Sequence, residues 1–402
     1  MEKKIVVIRE HSEVWTYILE NDEIVEIHYD RILSSDKLSH HVGNIYIGKV
    51  KKILKNLGAA FVEIEPGLEC YYETEQAKNA IFTSKAGKKP LSVGDELLVQ
   101  LSKEGVKSKA PTVTTDLSFP GYYTVLTTGN TKIGVSSKIP NIQRELFKER
   151  LKEYENENYG LIIRTKSRGV DFELIKEEIE KHIDAYKKLI EKAATRTCFS
   201  VLKIVPPNYI TNIRNIFVEG QTEVVVNDQE LYYEICDFLS SHGMNEVPQV
   251  ALYNDSRISL QSLYNTQKTL ERTLNEKVWL KSGGYITIQS TEALTAIDVN
   301  SSKYIKLESE REAALHVNIE AAIEIAKQLR LRNLSGIIIV DFINMDHEED
   351  RQMLGRELKI QLSKDSVPAT FVGFTPLNLV EITRKKIRKP LSETLTLSNK
   401  KV

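Results

Sequence analysis

Asp298 and Asp341 each close a short apolar stretch, Ala296-Ile297 and Gly336 to Val340, and a segment of helical texture lies between them. The unbroken Ile-Ile-Ile-Val run at 337–340 lacks alternation, so a parallel strand covered on both faces is expected, joined to the first by a right-handed helical crossover. That topology brings both aspartates to one carboxyl edge of a sheet, the edge at which open α/β sheets bind ligands. Asn300 follows Asp298 by two residues, so its side chain falls on the same side of an extended chain. Two carboxylates and an amide offer few, hard oxygen ligands and leave room for water and a substrate phosphate, which suits magnesium better than a zinc or calcium cage. Strand-end aspartates also serve as helix caps and turn formers, and spacing alone leaves both readings open.

The wider motifs carry a family resemblance. TEALTAIDVN at 291–300, N-x-EAA-x-EIA-x-QLRLRN from Asn318 to Asn333 and GIIIVDFINM at 336–345 resemble the catalytic core of the ribonuclease E/G family, and the likeness runs colinearly along almost the whole chain. It implies a deoxyribonuclease-I-like catalytic domain in which Asp298 and Asp341 bind Mg2+, with Mn2+ as an alternative, and Asn300 orients one of them. The expected reaction is hydrolysis of single-stranded RNA to 5′-phosphate and 3′-hydroxyl ends, in the processing of rRNA precursors and in mRNA decay.

The elements that must position these residues follow from composition and pattern. At 402 residues, 41% hydrophobic and 28% charged, the chain has room for several folded domains. A net charge of −1 gives no global basic field, so nucleic-acid binding must come from local patches. Cys70, Cys198 and Cys236 form no C-x-x-C pair, which argues against a disulfide framework or a structural zinc and for thiols buried in a reducing cytosol. The N-terminus is too short in apolar residues for a signal peptide, and no run approaches membrane-span length, so a cytoplasmic protein is expected.

The expected fold class is α+β and multidomain: a ribonuclease-H-like subdomain with an inserted OB-fold (S1-type) barrel and a 5′-sensor, followed by the deoxyribonuclease-I-like α/β domain. Residues 1–39 read as strands, with Asn21-Asp22 as a hairpin turn, too short to close a core without later strands. The resemblance joins them to 208–275 as a structural subdomain, where His242 beside Gly243 reads as a helix cap.

Residues 40–118 have the alternating short strands of an OB-type barrel, with Phe61 and Tyr71 as candidate stacking rings and Lys49, Lys51, Lys52 and Lys109 as candidate charges. A lone strand aromatic is more often core than platform, but the resemblance places Phe61, Tyr71 and Lys109 at positions where the family contacts RNA. The lysine-rich loop 103–109 suits phosphate positioning or a plain solvated face.

Residues 119–207 are β-rich and end in an amphipathic helix whose stripe of Ile175, Ile179, Ile183, Tyr186 and Ile190 is expected to be core. Arg164-Thr165 ends the strand GLIIRT, and an Arg beside a hydroxyl pairs naturally with a phosphate monoester. The resemblance makes Gly121, Val125, Arg164 and Thr165 the pocket for an RNA 5′-monophosphate.

Residues 276–395 complete the catalytic domain, with Leu315, Ile319, Ala322, Ile323, Ala326 and Leu329 expected to face the sheet. Arg330 and Arg332 read as complements to the helix dipole. A basic helix carrying Arg384, Lys385, Lys386, Arg388 and Lys389 is expected to hold RNA phosphates or to form a solvated face.

The sequence departs from the family pattern at Asn344, where the second aspartate of D-F-I-D-M would stand, at Arg311-Glu312, and at Phe374 to Leu377. The C-P-x-C-x-G zinc motif is absent, so no structural zinc is expected, and any homodimer is expected not to be zinc-linked. An RNA-binding or ribosome-assembly factor with weak or no catalysis is the competing reading.

Overall fold

Asn21 and Asp22 both adopt positive φ, 50° and 62°, as a tight two-residue hairpin turn requires, and they connect Glu13–Glu20 to Glu23–Arg31. The computed structural model describes residues 3–32, 41–83, 90–103, 105, 110–216, 222–241, 250–301 and 309–399. The chain divides into two compact units, residues 1–32 with 208–402 and residues 33–207. No helix among the described residues is long and apolar enough to cross a membrane.

The first unit holds two sheets. The five-stranded sheet runs Val250–Leu252, Thr222–Val226, Lys3–Glu10, Glu13–Glu20, Glu23–Arg31. Lys3–Glu10 pairs in parallel with Thr222–Val226, Ile5 opposite Val224, so the opening strands do close against a segment far along the chain. The six-stranded sheet runs Lys277–Trp279, Tyr285–Ser290, Leu294–Asn300, Gly336–Asp341, Val380–Arg384, Ala369–Phe374. Leu294–Asn300 and Gly336–Asp341 are parallel neighbours, and helix Glu310–Leu331 lies between them in the chain.

Among the described residues, only one face of the six-stranded sheet is packed. Ile286, Ile288, Ile297, Val299, Ile338, Val340, Val380 and Ile382 share a core with Val317, Ala321, Ile325 and Leu329 of helix Glu310–Leu331 and with Leu354 and Leu358 of helix Glu348–Leu362. The expectation that Ile337 to Val340 are covered on both faces is therefore corrected: Ile337 is 51% exposed. Both helices pack on the same side of the sheet, and the flanking strands are antiparallel, so among the described residues the opposite face is open. Ile323, assigned to the sheet-facing stripe, is exposed as well.

Charged residues at the helix end have a larger role than complementing a dipole. Arg330 is buried and donates from Nε to Glu26 at 3.0 Å and from Nη2 to Glu20 at 2.8 Å, tying the helix to the five-stranded sheet. Burial raises the Glu26 carboxyl, but His28 and Arg330 outweigh it and hold Glu26 down at about 2. Arg332 is also buried and bonds to Gln328 and to the Asn275 carbonyl.

The expected basic helix is not formed. Val380–Arg384 is a strand that ends in Arg384, which is buried against Asp365 at 2.7 Å, and Arg388 donates to Asn212 at 2.7 Å. Lys385 and Lys386 are the exposed members of that run.

In the second unit, Ile45–Leu54, Ala59–Glu65, Leu68–Glu73, Thr112–Thr114 and Glu96–Lys103 form a closed five-stranded barrel, sealed by Ile45 opposite Gln100. Tyr46, Val50, Val62, Tyr72, Leu97 and Val99 fill its core. Gly48 is required there, since a Cβ would come within 2.5 Å of Val62. A four-stranded sheet, Gly134–Val135, Gly160–Ile163, Thr124–Thr127, Ser118–Pro120, is backed by helix Phe172–Thr195, whose N-terminus Asp171 caps through the Glu173 N–H. Ile175 and Ile179 are fully buried, with Ile183, Tyr186 and Ile190 packed beside them, as the stripe predicts.

Candidate active site and RNA-contact residues

Asp298 and Asp341 are direct register partners across the parallel pair Leu294–Asn300 and Gly336–Asp341. Neighbouring strands lie about 4.8 Å apart, and residues in register share a face. Both side chains belong to the open face and are exposed, because the residues beside them, Ile297, Val299 and Val340, occupy the core. Asn300 donates from Nδ2 to Asp298 Oδ2 at 2.6 Å, which fixes that carboxylate through one of its two oxygens. Among the described residues, no three His, Cys, Asp or Glu side chains cluster closely enough to hold a metal ion, so this acid pair has no third protein carboxylate beside it.

Residues that sequence reasoning passed over hold the frame. Asn318, fully buried on the crossover helix, donates from Nδ2 to the Ile343 carbonyl at 2.8 Å and accepts the Ile343 N–H at 3.0 Å. The chain leaving Asp341 is thereby pinned two residues on. The signal was present as the first residue of N-x-EAA, but its partner lies on another element. Arg311, a departure from the family pattern, forks onto Asp350 at 2.8 and 2.9 Å and joins the two covering helices.

In the second unit the four proposed sensor residues gather at one end of the small sheet. Arg164 donates from Nη1 to the Gly121 carbonyl at 2.5 Å, Val125 lies opposite Ile162, and Thr165 Oγ1 sits 2.8 Å from Ser136 Oγ. Glu178, on the backing helix, accepts the backbone N–H groups of Tyr122, Tyr123 and Thr124 at 2.8, 3.0 and 2.7 Å. Burial raises the Glu178 carboxyl, but the His182 imidazole 3.7 Å away and the bonds from Thr124 and Tyr123 prevail and hold it down at about 2. Burial lowers the Arg164 guanidinium, opposed by the charge of Glu178. Glu178 was missed because nothing in an amphipathic helix marks one of its acids as the acceptor of backbone N–H groups from another element.

On the barrel, Phe61 and Tyr71 are cross-strand partners with ring centroids 6.4 Å apart in an edge-to-face pair. Both are half-buried and alternate with the inward Ala60, Val62, Cys70 and Tyr72, so they share the outer face. Lys52 stands opposite Phe61, whereas Lys51 is paired with Glu63 at 3.1 Å. Cys70 is buried, and burial pushes its thiol up to about 12. Lys109, most of the 103–109 loop and His242 lie outside the described residues.

The family model for the Ribonuclease E/G family matches residues 118–387. The chain belongs to the ribonuclease E/G family. Relatives of the ribonuclease E/G chain include Ribonuclease G of Salmonella typhimurium and of Escherichia coli K12, each 32% identical over 96% of this chain and 80% of its own length. Ribonuclease E of Synechocystis is 31% identical over 98% of this chain and 58% of its own length. As a ribonuclease E/G member the protein is an endoribonuclease, a hydrolase acting on RNA. Its barrel is consistent with an S1-like fold.

Proposed function

We propose that this endoribonuclease cuts single-stranded RNA with a divalent cation, Mg2+ by preference or Mn2+, held by Asp298 and Asp341. The observation that carries the reading is the register pairing of these two aspartates on an open sheet face, with Asn300 bonded to Asp298. The donor set fits a hard cation: it is all oxygen, exposed, and leaves positions for water and a phosphate. When bound, the cation polarises a phosphate oxygen and lowers the pKa of water. Asp298 and Asp341 neutralise and place that charge, and Asn300 fixes the direction of Asp298. Water then attacks phosphorus as the bond to O3′ breaks, leaving a 5′-phosphate on one fragment and, after proton transfer to the leaving oxygen, a 3′-hydroxyl on the other.

We assign residues 276–395 to a deoxyribonuclease-I-like catalytic domain and 1–39 with 208–275 to a ribonuclease-H-like support. The barrel of 40–118 contacts RNA through Phe61, Tyr71 and Lys109. The 119–207 region reads a 5′-monophosphate through Gly121, Val125, Arg164 and Thr165. The substrates are rRNA precursors and mRNA.

The test is incubation of the purified chain with a 5′-monophosphorylated, A/U-rich single-stranded RNA, with and without Mg2+, beside Asp298→Asn and Asp341→Asn. The expected result is magnesium-dependent fragments with 5′-phosphate ends from the parent and intact, still-bound RNA with either variant. Variants that cut as fast as the parent would overturn the metal assignment, and RNA bound but uncut by the parent would favour an assembly factor.

A further inference from the structure

Trp279 is 65% exposed, while Trp15, the other tryptophan of the sequence, is 7% exposed. Its strand, Lys277–Trp279, lies at the edge of the six-stranded sheet and pairs with Tyr285–Ser290 so that Lys277 faces Thr287 and Trp279 faces Tyr285. The next strand places Asp298 beside Thr287 and Asn300 beside Tyr285. Lys277, Thr287, Asp298 and Asp341 therefore form one row across four strands, and Trp279, Tyr285 and Asn300 form the row next to it. Residues in register share a face, and the opposite face here is the packed core of Ile286, Ile288 and Ile297. The aromatic pair and the acid pair thus lie on one open surface.

The aromatic corner is built rather than incidental. The Trp279 and Tyr285 rings meet edge to face with centroids 5.4 Å apart, and Lys277 Nζ sits 4.1 Å from the first centroid and 3.5 Å from the second. The turn joining their strands is held by Glu320, whose carboxylate accepts the Lys281 and Ser282 N–H groups at 2.5 and 3.1 Å. Among the described residues no carboxylate forms an ion pair with Lys277, so its charge is held by ring faces. A flat indole beside an ammonium matches a nucleobase beside its phosphate, the pairing by which single strands are gripped without sequence readout. Two strand spacings, about 10 Å, separate Lys277 from Asp298, which suits a nucleotide close to the cut phosphate.

We infer that Lys277, Trp279 and Tyr285 form a stacking platform that seats one base of single-stranded RNA beside the Asp298–Asp341 pair, an inference that rests on the acid pair being the cleavage site. RNA is favoured over a second copy of the chain because the surface around the rings is polar and charged, with Thr287, Gln289, Asn300 and the two aspartates, where the core of a subunit interface would be apolar.

The experiment titrates the whole chain with a short 5′-hydroxyl oligouridylate in EDTA, reading tryptophan fluorescence and anisotropy. Trp15 is buried, so quenching on binding reports Trp279. Trp279→Ala is expected to bind about five- to one-hundred-fold more weakly, and Trp279→Phe to recover most of that loss. Oligonucleotides with one abasic position each add a readout that a general structural role would not move: a single abasic position should erase the difference between parent and Trp279→Ala. Absent quenching with unchanged affinity, or a Trp279→Ala loss equal at all abasic positions, would overturn the platform. So would a Trp279→Ala variant whose oligomeric mass falls while its RNA affinity holds, which would assign the face to a second copy. Cleavage by Asp298→Asn would refute the cleavage site separately, leaving the quenching result to stand or fall by itself.

Discussion

Asn318 holds both backbone groups of Ile343, donating to its carbonyl and accepting its N–H, from a position on the crossover helix that is fully buried. Asn318→Ala would leave these groups unpaired, at a cost of about 1–3 kcal/mol. It would also loosen the chain that follows Asp341, so cleavage should fall more than RNA affinity does. Urea unfolding beside single-turnover rates checks both halves; an unchanged midpoint would show that water replaces the clamp.

Asn300 donates a hydrogen bond to Asp298, one of the two paired aspartates. Asn300→Ala should lower the cleavage rate, raise the magnesium concentration needed for half-maximal rate, and leave oligonucleotide binding in EDTA unchanged. A rate equal to the parent at every magnesium concentration would remove its orienting role.

Arg330 neutralises two buried acids, Glu20 and Glu26. Removing it strands their charge, so Arg330→Ala should cost about 3–5 kcal/mol at neutral pH. Glu26 is held at about 2 in the fold against an ordinary 4.5. Its folded value is depressed, so its contribution is complete above about 4.5 and is lost as pH falls toward 2. The stability gap between parent and variant should therefore narrow across that window, as denaturation midpoints at pH 7 and pH 3 would reveal. A gap that does not change with pH would contradict the pairing.

Arg164→Ala should narrow the rate ratio between 5′-monophosphate and 5′-hydroxyl RNA. Glu178→Gln should do the same, because it loosens the Tyr122 to Thr124 backbone that adjoins Gly121. Glu178 is likewise depressed to about 2, so the stability lost in Glu178→Gln should appear above about pH 4.5 and disappear toward pH 2. An unaltered 5′-end preference in Arg164→Ala would remove the sensor assignment.

Local signals were legible where a single segment determines the outcome. The Asn21-Asp22 turn, the strands that carry Asp298 and Asp341, and the Ile175–Ile179 stripe all follow from neighbours a few residues away. The pairing of charged groups was not legible, because Arg330, Arg384 and Glu178 acquire their partners from segments 19 to more than 300 residues distant. Nor was the open sheet face, since an Ile-rich run looks the same whether one side or both are covered. Trp279 reads as an ordinary strand aromatic until the register places it beside the acid row.

The parallel pairing of Lys3–Glu10 with Thr222–Val226 has a consequence for synthesis on the ribosome. The first strand emerges early, but its partner is translated more than 200 residues later, an interval of about 10–40 s at ordinary elongation rates. Throughout it, the nascent hairpin presents an unpaired apolar edge, Ile5 to Val7, of the kind that templates aggregation. The intervening 33–207 unit, with a barrel closed on itself, has its core complete before that edge is covered. Chaperone occupancy on ribosome-bound chains should accordingly concentrate on the opening strands and end when residue 226 clears the exit tunnel.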